Sequence, residues 1–344
     1  VAVIANNYWA AKKGRDALKI SWNKGPWSEE SSESLMRDFE AFCVSEKEGK
    51  NLINDGDVNR GFAQSDQILD YSYEVPFFAH ACMEPFNAIV HIKDGKAKII
   101  TGHQFPIKVA EAVGKYANVD PLDVEVINVR GGGGFGRRYY NDFVIEAALL
   151  AKEVKTPLKL VWTREDEIMH DYFGFSTFAR IKAGTNKQGK LISWHYRQGQ
   201  IGGSLREQCF PYHLIENFKV DSYNQKAGTP TGAWRGPGHL QFTFAAESMI
   251  DEVAHAQKQD PLKYRLNLMS PAKEYPYKGY GGTAIDSGRM AKCYEKAAEL
   301  ANWSAKRPKG VGLGIAGHFT FGSYTAFVVE VDATKKGRMK ITGI

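Results

Sequence analysis

The stretch Gly131-Gly132-Gly133-Gly134-Phe135-Gly136-Arg137-Arg138 constrains the fold more than any other part of this sequence. Glycines carry no Cβ, so the main chain can approach another group closely and adopt backbone angles closed to other residues, but such a run makes a poor helix or strand. An apolar run at 124–129 leads into it, and an apolar-periodic segment at 142–153 follows. The stretch therefore reads as a loop between a strand and a helix. A helix start presents free N–H groups and the positive end of a dipole, and Arg137 and Arg138 add fixed charge. Together they describe a seat for a phosphate, a pyrophosphate or another electron-rich group. The competing reading is a glycine-rich turn whose role is packing.

Gly131, Gly133 and Gly136 can also be spelled as a dinucleotide fingerprint, with Glu165 near the place of a ribose-binding acid. That spelling arises from any glycine run. Here it lies mid-chain, two arginines follow it, and no doubly wound pattern surrounds it. A P-loop is excluded, because no Gly-Lys-Ser/Thr follows.

Around the loop the pattern is mixed. Periodicity predicts helices over 8–18, 35–46, 107–116, 142–153, 241–257 and 293–301, with another beginning at Asp260-Pro261. Strands are predicted over 1–5, 19–22, 68–75, 88–92, 97–101, 124–129, 158–163 and 339–344. A hairpin is predicted from 178–183 and 191–200, and 311–331 reads as β-rich. This is an α+β arrangement of mixed sheets with packed helices. The polar stretch 23–34 is the best candidate boundary. The opening inside a predicted strand, without Met, leads us to expect a piece of a longer polypeptide.

Of 344 residues, 43% are hydrophobic and 24% charged, an ordinary globular balance. The net charge of +6 comes from scattered residues, so no nucleic-acid tract is expected. No apolar run is long enough for a membrane span. The four cysteines, Cys43, Cys82, Cys209 and Cys293, form no CxxC pair, so neither a zinc site nor an iron–sulfur cluster is expected.

Gln104, in Gly102-His103-Gln104-Phe105-Pro106, can donate a neutral hydrogen bond to an oxygen ligand, or can be a simple helix-start contact. Arg235, in Trp234-Arg235-Gly236-Pro237-Gly238, is a turn residue or an anion ligand. His80-Ala81-Cys82-Met83-Glu84-Pro85 fits no metal template and reads as a satisfied polar cluster. Thr163 to Glu167 reads as a solvated charged turn.

The order of these pieces resembles the large subunit of molybdenum hydroxylases, the xanthine dehydrogenase and aldehyde oxidase family. The run Glu247-Ser248-Met249-Ile250-Asp251-Glu252, then Asp260-Pro261 and Arg265, is similar too, as is Gly322-Ser323-Tyr324. Two arginines after Gly-Gly-Gly-Phe-Gly, and Met83-Glu84-Pro85 with Asn87, are similar to the isoquinoline 1-oxidoreductase branch. The resemblance implies a molybdopterin-binding region over 25–344, with room for two subdomains, after a remnant over 1–24 of a small hammerhead-like α/β domain.

It also implies a molybdenum–molybdopterin cofactor, in a cytosine dinucleotide form, held by Gln104, Gly133, Gly134, Phe135, Gly136, Arg137 and Arg235. Gln104 would face the oxo ligand and Arg235 the dithiolene side. Tyr139 would stand on the substrate side, where many relatives have a glutamate, which puts purine-type substrates in doubt. The implied reaction hydroxylates an aldehyde or N-heterocycle with water as oxygen source. No catalytic residue is assigned in this chain, because the family's base glutamate is expected downstream. Electrons would leave through [2Fe-2S] clusters on a small partner subunit. Location is periplasmic if a twin-arginine signal precedes the chain, and otherwise cytoplasmic. The alternatives are a nicotinamide-dependent oxidoreductase and a non-catalytic binding domain.

Overall fold

A computed structural model describes residues 1–45, 47–279 and 281–344. They form two compact units, each assembled from three stretches of chain. The first comprises Val1–Ser31, Phe77–Phe175 and Lys226–Arg235; the second comprises Ser32–Pro76, Ser176–Gln225 and Gly236–Ile344.

The first unit is built on a sheet in the spatial order Val124–Asn128, Lys96–Thr101, Asn87–Lys93, Leu158–Val161. Asp94 and Gly95 both have positive φ, at 49° and 77°, which gives the tight turn that pairs Asn87–Lys93 with Lys96–Thr101. Lys96–Thr101 and Val124–Asn128 run parallel and so need a crossover, supplied by helix Pro106–Ala117. Pro106 suits the first turn of that helix, and Asn118 in the left-handed region ends it. Its Val109, Val113 and Ala117 bury one stripe together with Val90, Ile99, Phe143, Ala147 and Ala151. Each such aliphatic side chain removed from water stabilises the unit by about 1.5–3 kcal/mol.

The second unit has a sheet ordered Lys50–Asp55, Asn217–Asn224, Leu191–Gln200, Thr177–Thr185, Gln67–Val75. Thr177–Thr185 and Leu191–Gln200 form the predicted hairpin. Leu191–Gln200 is buried at almost every position, as a strand covered on both faces must be. Helix His239–Ala256 supplies Phe242, Met249 and Val253 to that core. A second sheet pairs Val311–Thr320 with Ser323–Asp332 and then Lys340–Gly343, and helix Ser287–Leu300 packs its Met290 and Tyr294 against Ile315 and Val328. The α+β architecture with mixed sheets is as expected.

Several elements differ from expectation. Residues 1–5 and 19–22 are not strands, because neither segment finds a partner strand among the described residues. Helix Tyr8–Asp16 between them does form, capped by Asn7. The supposed charged turn at Thr163 is helix Arg164–Met169, started by a capping box between Thr163 and Asp166. The helix expected from Cys293 begins at Ser287, because Asp286 accepts the N–H groups of Gly288 and Arg289. The helix expected over 35–46 is Ser32–Val44, and Glu46 lies outside the described residues.

Candidate functional site

The glycine loop lies wholly in the first unit, and its two kinds of main-chain group are treated differently. The carbonyls are spent inward. Gly132 O accepts from Glu84 N at 3.0 Å, Gly134 O from Arg137 N at 2.8 Å, and Phe135 O from Arg235 N at 2.7 Å. Gly133 O accepts from Arg138 Nε at 2.6 Å. The N–H groups of Gly133, Gly134 and Phe135 donate to nothing among the described residues. A stretch of main chain with its acceptors consumed and its donors unspent presents positive potential.

Arg138 builds this arrangement. Its guanidinium is buried and also donates to Gly102 O and Glu84 O, at 3.0 Å each, and pairs with Glu84 Oε2 at 3.1 Å. Burial alone would raise the Glu84 carboxyl, but bonds from Gly132 N–H and Asn87 and the charge of Arg138 hold it below the usual carboxylate range. Glu84 is therefore an anion that ties the 82–87 segment to the loop.

Arg137 departs from its expected role as a cofactor contact. It is fully buried, with Nη1 2.8 Å and Nη2 2.5 Å from the Asp142 carboxylate. Its Nε lies 2.8 Å from Asp171 Oδ1 without hydrogen-bond alignment. Phe86 and Tyr172 stack on its guanidinium at 4.6 and 4.9 Å. Every face is occupied, so Arg137 anchors the loop from beneath. The expected helix start beside the loop is also displaced. A short 3-10 turn, Arg137–Tyr139, intervenes, and helix Asp142–Val154 begins only afterwards. Positive character in the loop thus comes from unspent N–H groups and not from that helix end.

His80 and Asp171 complete the support. Asp171 accepts from the His80 main chain at 2.6 Å and lies 2.9 Å from its Nδ1, while His80 Nε2 is 3.1 Å from Ala233 O. Ala233 N donates to Tyr140 Oη at 2.8 Å. Trp234 packs edge-on to Phe78 at 4.8 Å. These contacts hold the 231–235 segment against Gly136, where a Cβ would lie 1.7 Å from Ala233 O. Glu167, at 1% exposure, accepts Cys82 N–H at 2.8 Å and pairs with Arg164. The 80–85 segment is thus a satisfied polar cluster, as its sequence suggests, and it is what the loop rests on.

The outward groups are Gln104, Phe135, Tyr139 and Arg235. Gln104 N–H donates to Arg138 O at 3.0 Å, and its Oε1 accepts from Gly136 N at 3.0 Å. Because Gly136 N–H is a donor, the amide oxygen must face it, which leaves the Gln104 Nε2 hydrogens unspent. Phe135 holds a φ of 54° and Tyr139 stacks flat on Phe105 at 5.4 Å. The exposed Arg235 guanidinium has no partner among the described residues. Three main-chain N–H groups, a neutral amide donor and an unpaired cation form a set made of donors alone. That set fits an electron-rich anionic group with oxygen or sulfur acceptors, such as a metal-bearing pterin dithiolene with a phosphate tail.

The nicotinamide alternative is not supported. A dinucleotide fold needs a helix N-terminus at the last glycine, whereas here Gly136 leads into a turn and Arg138 fills the inside of the loop. Sequence reading missed Arg138, Glu84, His80 and Asp171 as the loop's scaffold. For Glu84 the spacing to Asn87 was the available signal. For Asp171 there was none, since it lies 91 residues from His80.

Residues 44–269 match the family described as the molybdopterin cofactor-binding domain. The chain is 27% identical over 343 residues to the membrane-bound aldehyde dehydrogenase of Gluconacetobacter polyoxogenes, whose name includes pyrroloquinoline quinone, covering 92% of this chain and 44% of that one. It is 23% identical over 360 residues to the isoquinoline 1-oxidoreductase beta subunit of Brevundimonas diminuta, covering 96% and 44%. The solved quinoline 2-oxidoreductase of Pseudomonas putida superposes with a TM-score of 0.70 at 16% identity, over 91% of this chain and 44% of that one. The aldehyde oxidoreductase of Desulfovibrio gigas does so at 0.60 and 19%, over 77% and 31%. At these identities the superpositions show the fold. This chain spans less than half the length of each of these relatives.

Proposed function

This chain belongs to the molybdopterin cofactor-binding domain family, and we propose that it is part of the catalytic subunit of a molybdenum hydroxylase acting on an aldehyde or N-heterocycle. The observation that carries the reading is the donor-only set formed by the Gly133, Gly134 and Phe135 N–H groups, Gln104 Nε2 and Arg235. When bound, a molybdenum–pterin group supplies two-electron oxidation of an electron-poor carbon with water as oxygen source. The chain's residues hold and orient it. Gln104 donates a neutral hydrogen bond to an oxygen ligand, Arg235 offsets anionic charge, and Gly136 fixes the Gln104 amide. The flat Tyr139–Phe105 pair suits a planar substrate edge.

On this reading the base glutamate comes from the rest of the subunit, and electrons leave through [2Fe-2S] clusters on a small partner. A cytosine dinucleotide tail is our choice for the cofactor's anionic end. Residues 1–24 belong to a preceding hammerhead-like domain, a view supported by the lack of any buried residue in Val1–Ser31. The test is elemental analysis and cofactor release on the full-length subunit purified with its partners. About one molybdenum per subunit, with a fluorescent oxidised pterin, is expected. A folded complex that yields a quinone, or neither metal nor pterin, overturns the proposal.

A further inference from the structure

The second unit brings together one thiol and two imidazoles from three distant elements. Cys209 closes the 3-10 turn Glu207–Cys209, His239 opens helix His239–Ala256, and His318 lies on strand Val311–Thr320. The Cys209 sulfur and one ring nitrogen from each histidine lie within 4.8 Å of one another. Cys209 is buried and in no disulfide.

The orientation of the rings is more telling than their proximity. His318 Nε2 and His239 Nδ1 face each other at 3.0 Å. The far nitrogen of each ring meets a threonine hydroxyl: His318 Nδ1 lies 2.9 Å from Thr243 Oγ1, and His239 Nε2 lies 3.3 Å from Thr320 Oγ1. Metal-ligating histidines are commonly held in this way, one nitrogen for the metal and the other N–H donated to an oxygen that fixes the ring. Cys209 and His318 also line a small cavity of about 20 Å³, shared with Phe242 and Tyr294, which is room for one water-sized ligand.

We propose that Cys209, His239 and His318 bind one borderline-soft divalent cation of the zinc class, with a fourth coordination position open to that cavity. Metal–nitrogen bonds of about 2.0–2.1 Å and a metal–sulfur bond of about 2.3 Å place tetrahedral ligand atoms about 3.3–3.6 Å apart. To accept the ion the two facing nitrogens, 3.0 Å apart, need to part by a few tenths of an ångström, and the widest pair of ligand atoms, within 4.8 Å, needs to close by about an ångström. The Cys209 thiol proton leaves to solvent on binding. The bland alternative is a His–His hydrogen bond in which one ring donates. It leaves the metal unbound and therefore predicts no thiolate coordination. The site involves only the second unit and is independent of the cofactor reading.

The probe is Co(II) alone, titrated into the full-length chain after dialysis against chelator. A thiolate-to-cobalt absorption band that saturates at one equivalent and is displaced by Zn(II) is expected. Cys209→Ser, a near-isosteric change checked by its thermal melt, removes the band. Thr243→Val leaves all three ligands in place and weakens cobalt affinity about 10-fold. No band in the native chain, or a band unchanged in Cys209→Ser, overturns the proposal. Native affinity in Thr243→Val also counts against it.

Discussion

Two glycine-rich stretches of this chain look alike as sequence and differ as structure. In the 131–136 loop an added Cβ would meet Glu84 Cβ at 2.5 Å from Gly132, Gln104 Oε1 at 2.6 Å from Gly134, and Ala233 O at 1.7 Å from Gly136. On strand Val311–Thr320, Gly312 and Gly314 face outward with nothing within 4 Å of an added Cβ. The loop lacks side chains because other groups occupy their space. The strand's two outward glycines have no such neighbour among the described residues. Glycine density alone therefore does not mark a site. What marks it is what stands where the side chain would be, and where the main-chain hydrogen bonds go.

Gly136→Ala gives the largest effect on this contrast. Its φ of 108° is closed to alanine, and the new methyl would collide with a backbone carbonyl that cannot swing away. Strain and clash together cost about 3–5 kcal/mol, read as a large drop in thermal midpoint with loss of molybdenum. A melt within a degree of native would remove the loop from its special place.

Gly134→Val separates stability from binding. The obstacle here is the tip of a flexible glutamine, so the fold yields. Pushing Gln104 off Gly136 N–H forfeits a hydrogen bond of about 1 kcal/mol. The amide that should face the cofactor loses its orientation. We expect a melt only a few degrees lower but molybdenum near background. Full occupancy would show that neither Gly134 nor Gln104 approaches the cofactor.

The loop's place between strand Val124–Asn128 and helix Asp142–Val154 was legible because both flanks carry strong local periodicity. Loop chemistry alone left Gln104 a helix-start contact and Arg235 a turn residue; their expected roles at a cofactor came from the family resemblance. The division of labour between Arg137 and Arg138 was not legible, since adjacent arginines look identical until Asp142, Asp171 and Glu84 are placed around them. Segments 1–5 and 19–22 have strand-like composition, but a strand is completed by a neighbour, and local sequence carries no record of one. Helix Arg164–Met169 was legible in principle: Thr163 and Asp166 have capping-box spacing, and the surrounding charge hid it. Cys209, His239 and His318 are scattered over more than a hundred residues, so only the fold could gather them.

Arg235→Ala tests the rim of the loop and not its interior. The side chain is exposed and unpaired among the described residues, so the apo melt should move by less than about 0.5 kcal/mol. Molybdenum per subunit should still fall several-fold, because a cation facing an anionic group contributes to binding and little to folding. Arg235→Lys should recover part of the loss, keeping charge without the planar fork. Unchanged metal content in Arg235→Ala would make Arg235 an ordinary turn residue.

Gly314→Ala is the smallest expected change and the sharpest control. Gly314 pairs in register with Val329 and has open space for a methyl, and its φ is not in the left-handed range. Alanine there restricts the unfolded chain without disturbing the strand, a gain of about 0.4–1 kcal/mol. The melt of the full subunit should rise slightly with molybdenum content unaltered. If Gly314→Ala instead destabilised the protein as Gly136→Ala does, something in the complete assembly would lie against that strand face, and the distinction between the two glycine stretches would be one of partners and not of kind.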